Sequence, residues 1–355
     1  MPLPAWTAYA HLQQALGLSP RPAPRPPTPN LAAFAKDQPA ARARVSLIHA
    51  PGYRSGAWPS ALKEALENQG RLSPVIRRGD RVVIKVSLVG GSRYAQKVVK
   101  DLGRLPTELY WTHPEVARAV GEWARDAGAA KIRFVEALSD WTSWRQFGYH
   151  AVAARLGAEF VDLNQPAPYP DFAAQAVGPD ALVYDQFKLN RSLVEADVFI
   201  SLPKLRRHHA VGFTAALKNL VGILPLELYR ETLNDSHRSA LHHQPGGHSD
   251  LGRAVVDLAR ARPIHLAVID SLLTTLGSEG PWNNDLRPVT LGTLVVSANA
   301  VAADTAGVCA LGLDPLAADF EEPFGSSLNY LRLADSLGLG PHCPADIALN
   351  SASVG

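Results

Sequence analysis

Short runs rich in β-branched and apolar residues recur along the chain at 45–49, 81–86, 131–135, 158–162, 197–202, 265–269 and 291–296. Between several of them lie segments with helical periodicity, at 114–127, 144–156, 212–221, 250–260, 300–311 and 326–337. Strands joined through helices reach their neighbours by crossovers, which set them parallel. The alternation therefore predicts an α/β protein with a mostly parallel sheet and helices on both faces. Residues 165–193 and 224–247 stand outside the alternation and are expected to be insertions, forming a smaller inserted lobe. Thr112 with Glu115 three residues on reads as a capping box opening the helix at Pro114, and Gly128 follows its end. Ahead of the alternation, residues 6–16 could form a helix, and the Pro-rich run 19–29 forbids helix and favours an extended linker. The expected organisation is an N-terminal helix and linker over 1–43, then an α/β domain over 44–355.

A chain of 355 residues with 46% hydrophobic and 19% charged residues can bury one large core or two smaller ones. Its net charge of only +2 argues against a dedicated nucleic-acid binder. Two cysteines, Cys309 and Cys343, are too few for a disulfide framework or a four-cysteine iron–sulfur site, and Cys309 sits in an apolar run typical of core. No run approaches the roughly 18 apolar residues of a membrane span, and residues 1–14 lack the pattern of a secretory signal. A cytoplasmic protein with no membrane partner is expected.

Open α/β sheets bind ligands where the strands end at their carboxyl edge. That rule gathers Lys85, Ser87, Glu136, Lys204, Asp270 and Asn299, although polar residues also end strands simply because the chain there turns to water. The densest signal is Pro203-Lys-Leu-Arg-Arg-His-His209, followed by Gly212-Phe-Thr-Ala-Ala-Leu-Lys-Asn-Leu-Val-Gly222. Arg offers a planar fork and Lys a point charge to a carboxylate or phosphate. Thr214 and Lys218, four apart, would share a helix face beside them. The same residues would equally serve as a solvated basic loop before a core helix. His237, His242, His243 and His248 fall in the polar stretch 234–250, with His208 upstream. His208, His237, His242 and His248 are the candidate metal ligands, but their spacing matches no zinc motif and a His-rich surface loop is the simpler reading. Neither a GxSxG elbow, a phosphate loop nor a GxGxxG turn is present.

Pro203-Lys-Leu-Arg-Arg-His208, Thr214, Lys218-Asn219 and Gly222 together resemble the centre of domain-of-unknown-function family 362. Thr112-His-Pro114, Ile269-Asp270 with Glu279-Gly-Pro281, and Asp304 ahead of Leu311-Gly-Leu313 extend the resemblance over 82–313. Many members of that family carry or adjoin ferredoxin-type iron–sulfur modules, which implies redox chemistry or a ferredoxin-type partner. This chain lacks the cysteines, so any cluster would belong to the partner. Arg206 stands where the family often has Lys, and Ser87 where an Asn often follows the strand lysine.

The resulting expectation is an enzyme, redox-linked through the resemblance alone, that takes a small anionic substrate at the strand carboxyl ends. Lys85, Lys204, Arg206, Thr214, Lys218 and Asn219 would hold the ligand. His208 would be the acid/base or a metal ligand, with Asp270 and Asp304 as carboxylate partners. No cofactor is identified. The rival expectation is a non-catalytic ligand-binding or accessory protein for an iron–sulfur partner.

Overall fold

Successive residues of the central strands point to opposite sides of one sheet, so each strand feeds two cores. Val83, Val135, Phe199 and Ile269 lie in one core, while Val82, Ile84, Phe134, Ile200 and Val268 lie in the other. The computed structural model describes residues 42–70, 74–242 and 249–354. The expected N-terminal helix and Pro-rich linker, together with His243 and His248, lie outside these described residues.

The strands are β1 (Ala43–His49), β2 (Arg81–Lys85), β3 (Lys131–Glu136), β4 (Glu159–Asp162), β5 (Ala173–Ala176) and β6 (Gln186–Leu189). They continue with β7 (Val198–Ser201), β8 (Lys204–His208), β9 (Gly212–Thr214), β10 (Leu266–Leu276), β11 (Arg287–Ser297) and β12 (Ile347–Ser353). A ten-stranded sheet runs β12-β1-β11-β10-β7-β2-β3-β4, with β8 on β10 and β9 on β8. Only β9 and β11 oppose the common direction, so the sheet is mostly parallel. Helices Trp58–Gln69, Pro114–Asp126 and Tyr149–Leu156 cover one face. Leu251–Ala261, Ala300–Ala310 and Tyr330–Ser336 cover the other.

Several local expectations are corrected. The segment 212–221 is not one helix: it forms β9 and then a 3-10 helix, Lys218–Ile223. Pairing of Arg206 with Thr214 and of His208 with Gly212 across the β8–β9 hairpin outweighs the local helical pattern, so Thr214 and Lys218 share no helix face. Asn299 follows a strand that runs backwards and therefore lies at the opposite edge from Lys85. Thr112 is not the cap of Pro114–Asp126. His113 takes that position, accepting from the Glu115 N–H at 3.2 Å, because the Thr112 hydroxyl is committed to Leu202 O at 2.6 Å. The helix expected over 144–156 is broken at Gly148, whose φ of +95° is a left-handed conformation.

The insertions fold onto the main body. β5 and β6 form a separate two-stranded ladder, yet Phe187, Leu189, Tyr229 and Leu241 join the core beneath Leu251–Ala261. Asp257, fully buried on that helix, accepts the N–H groups of Leu182, Val183 and Tyr184 and pins the insertion in place.

Gly212 makes the β8–β9 turn possible. Its φ is +85°, and a Cβ there would sit 2.2 Å from the carbonyl oxygen of Pro323. Gly212→Ala should lower stability by about 2–4 kcal/mol through strain and overpacking. Urea unfolding checks this as a lower midpoint at unchanged slope.

Candidate functional site

The carboxyl edge of the sheet is built on two buried ion pairs. Lys85 ends β2 and Glu136 ends the adjacent β3, and their Nζ and Oε1 atoms lie 3.0 Å apart at 1% and 6% side-chain exposure. Lys85 Nζ also donates to Val86 O at 2.7 Å and to Asn219 Oδ1 at 3.1 Å. Glu136 accepts the N–H groups of Leu88 and Ala137. Asn219 returns its amide to Lys85 O and the Ser201 hydroxyl, which ties the 3-10 helix to β2 and β7. Burial lowers the Lys85 ammonium from its usual value, while Glu136 opposes that shift.

The second pair is Lys204 with Asp270, 2.7 Å apart and fully buried where β8 lies beside β10. Tyr53 donates to Asp270 Oδ1 at 2.7 Å and accepts from Lys204. The His113 N–H donates to Asp270 Oδ2 at 2.9 Å, and the Tyr53 and His113 rings stack 3.6 Å apart. Lys204 and Asp270, both expected in the chemistry, are thus brought together and neutralise each other. A buried pair of this kind is sensitive to loss of either member, because the remaining charge has no water.

Above these pairs lies positive charge without such compensation. Arg206, Lys218 and Arg238 form no ion pair among the described residues. Arg206 is 4% exposed; it donates to Tyr110 O, and its Nε has no hydrogen-bond partner. The Thr214 hydroxyl, opposite Arg206 in the hairpin register, likewise has none, and nor does the Tyr110 hydroxyl. Arg238 donates to Leu224 O at 3.0 and 2.8 Å. Lys218 opens the 3-10 helix, remains partly exposed, and makes no hydrogen bond among the described residues. Burial, then the charges of Arg206, Arg238 and Lys85, bring its ammonium down to about 7, against the pull of Glu279. Burial likewise holds the Arg206 guanidinium down at about 10.

The histidines respond to this field. His208 ends β8 and accepts the Ala210 N–H at 3.2 Å. Burial and then Lys218, Arg206 and His242 keep it well below the ordinary imidazole value, so it is neutral at pH 7. His242 is lowered to about 4 by burial and Lys218, and its ring lies 5.4 Å from that of His237. No three His, Cys, Asp or Glu side chains among the described residues gather as a metal-binding group.

Asp304 approaches from below. It sits fully buried in Ala300–Ala310 and accepts the N–H groups of Ala216 at 2.6 Å and Leu217 at 3.0 Å, just ahead of Lys218. Burial pushes its carboxyl up to about 7 despite those two donors. Sequence reasoning missed Arg238, Tyr53 and Tyr110. Arg238 is a single arginine in a polar stretch, and the tyrosines lie in loops with no motif around them. Glu279, named in the sequence only within the family resemblance, is a carboxylate whose charge acts on Arg206 and Lys218, and it is held by Trp282 Nε1 at 3.0 Å and Asn283 Nδ2 at 3.1 Å.

The uncompensated ammonium at Lys218 has a measurable consequence. Below pH 7 it is charged in both folded and unfolded chains, so its full desolvation penalty applies. Between about 7 and 10.5 the unfolded chain binds the extra proton, and stability from this group rises with pH. Lys218→Met should therefore stabilise the ligand-free protein near pH 6 by roughly 1–2 kcal/mol. The gain should vanish towards pH 10.5, checked by thermal unfolding of variant against wild type across that range. Asp304 titrates with the opposite sign and cancels in the comparison.

A thylakoid-associated protein of Synechocystis sp. is 27% identical to this chain over 303 residues, which are 84% of this chain and 80% of that protein. The lactate racemase apoprotein from Thermoanaerobacterium thermosaccharolyticum is 15% identical with a TM-score of 0.39 over 78% of this chain. A protein from Thermotoga maritima is 12% identical with a TM-score of 0.34 over 72% of it. The chain spans 58% and 57% of the lengths of those two solved structures. No helix among the described residues is long and apolar enough to cross a membrane. Residues 99–309 match the family described as Domain of unknown function (DUF362), a span that holds Arg206, Lys218, Arg238 and Asp304, and this chain is a member of that family.

Proposed function

We propose that this protein is an enzyme that takes a small organic anion, a carboxylate or a phosphate ester, at the carboxyl edge of its sheet. The observation that carries the reading is the excess of unmatched cations: Arg206, which is buried, and Lys218 and Arg238, which are half-buried, have no ion-pair partner among the described residues. Isolated buried charge is costly, and an anion is the ligand that offsets it. Arg206 presents a guanidinium edge whose Nε is unpartnered, and the Thr214 hydroxyl opposite it supplies a further donor. His208, neutral beside them, is the group able to take a proton from a bound substrate and return it. In this reading Lys85–Glu136 and Lys204–Asp270 are framework pairs that hold the strand ends, and Asp304 positions the backbone that carries Lys218.

Titration calorimetry with inorganic phosphate and with lactate at low ionic strength tests the binding step. At least one should bind, and Arg206→Gln should weaken it ten-fold or more, a loss of about 1.4 kcal/mol or greater. Lys204→Met should instead lower stability by about 3–5 kcal/mol, the toll of leaving Asp270 unpaired, without a matching loss of affinity in the folded fraction. Equal affinity in wild type and Arg206→Gln would refute the assignment.

A further inference from the structure

Three lysines converge on this edge of the sheet, and two are occupied. Lys85 is held by Glu136 and Asn219, and Lys204 by Asp270 and Tyr53. Lys218 alone has neither a carboxylate nor any other acceptor among the described residues, and it alone of the three retains exposure. A lysine in this setting is a different chemical object from a salt-bridged one, because no carboxylate holds it in the ammonium form and loss of a proton frees its lone pair.

We propose that Lys218 is an amine nucleophile that condenses with the carbonyl group of an oxo-carboxylate bound at this site. The inference deepens the anion-binding reading and rests on it. The unpartnered Nε edge of Arg206 would hold the carboxylate, and that would set the neighbouring carbonyl carbon towards the Lys218 amine. Lys218 Nζ donates its lone pair to that carbon, a C–N bond forms, and the carbonyl π pair moves to oxygen, which takes a proton. Loss of the amine proton and departure of the oxygen as water then leave a C=N bond. Amine plus carbonyl gives imine plus water, with no change of oxidation state and no further reactant.

The surroundings suit each part of that step. Burial, and then the charges of Arg206, Arg238 and Lys85 against that of Glu279, bring the Lys218 ammonium down to about 7, so a large share of it is neutral amine near neutral pH. Neutral His208 and His242 lie within the same field and are able to relay the protons released and taken up. Thr214 offers a hydroxyl with no protein partner, suited to the carbonyl oxygen as it gains charge. Asp304 anchors the Leu217 N–H one residue before the amine and so fixes where the Lys218 side chain starts.

The full chain is incubated with glyoxylate or with pyruvate, reduced with sodium borohydride, digested and mapped by mass spectrometry. The expected result is a borohydride-dependent adduct on Lys218, at least ten-fold above that on any other lysine. Its rate in the wild-type protein should rise with pH through about 7 and level off, rather than climbing towards 10. Lys218→Arg should abolish the adduct, and Arg206→Gln should lower its yield at least ten-fold. Adducts spread evenly over surface lysines, or a rate that still climbs near pH 10, would overturn the proposal without recourse to any variant. Binding of lactate or phosphate with no adduct at Lys218 would remove the covalent step and leave the anion site standing. Absence of both binding and adduct would remove the anion site with it.

Discussion

The contact between Lys85 and Glu136 sets the geometry of everything above it. Two charges 3.0 Å apart at the ends of adjacent parallel strands have left water, and each loses several kcal/mol of hydration unless its remaining valences are met. They are met by Val86 O, Asn219, and the N–H groups of Leu88 and Ala137. Asn219 belongs to the 3-10 helix, so satisfying the pair also docks that helix on the sheet. The docking is close. A Cβ at Gly222 would lie 2.7 Å from both Glu136 Oε1 and Lys85 Nζ, so the absence of a side chain there is a condition of the contact. Lys218, one residue before Asn219, is delivered to the edge of the site as a consequence.

The site is electrostatically lopsided. Where a cation has a carboxylate, as in Lys85–Glu136 and Lys204–Asp270, the pair is part of the frame. Where it has none, as at Arg206, Lys218 and Arg238, positive potential accumulates in a region poorly screened by solvent. Burial first, and then that potential, lowers the nearby imidazoles and Lys218. Glu279 is the exception. Its charge acts on Arg206 and Lys218 while its carboxylate is held by an indole N–H and an amide, a fixed negative edge that would favour ligands offering a donor as well as an acceptor.

Much of the frame is legible in the sequence. The apolar runs at 81–86, 131–135 and 197–202 became β2, β3 and β7, because a strand buried on both faces must be apolar throughout. The residues just beyond them then fell at one edge, as parallel connection requires. Asp304 was reached as well, through the family resemblance that places it ahead of Leu311-Gly-Leu313. The β8–β9 hairpin was not. Its strands are five and three residues long, the first of them carries charges, and β8 is held by β10, whose pairing residues are more than sixty positions away. No local pattern reports such a contact. Nor does any report that β11 runs backwards, which took Asn299 to the far edge.

By itself the sequence determined the layered α/β architecture and the stretch of chain that carries Lys204, Arg206 and Lys218, since both follow from periodicity and residue type. Only the tertiary structure decided which cations are matched. Lys85, Lys204 and Lys218 are equivalent in one dimension, each a lysine at or just beyond an apolar segment. What separates two structural lysines from one reactive amine is whether a carboxylate from a distant strand arrives within about 3 Å. That depends on the register of strands remote in sequence, because the strength of an ion pair follows distance and local dielectric, neither of which is written in the order of residues.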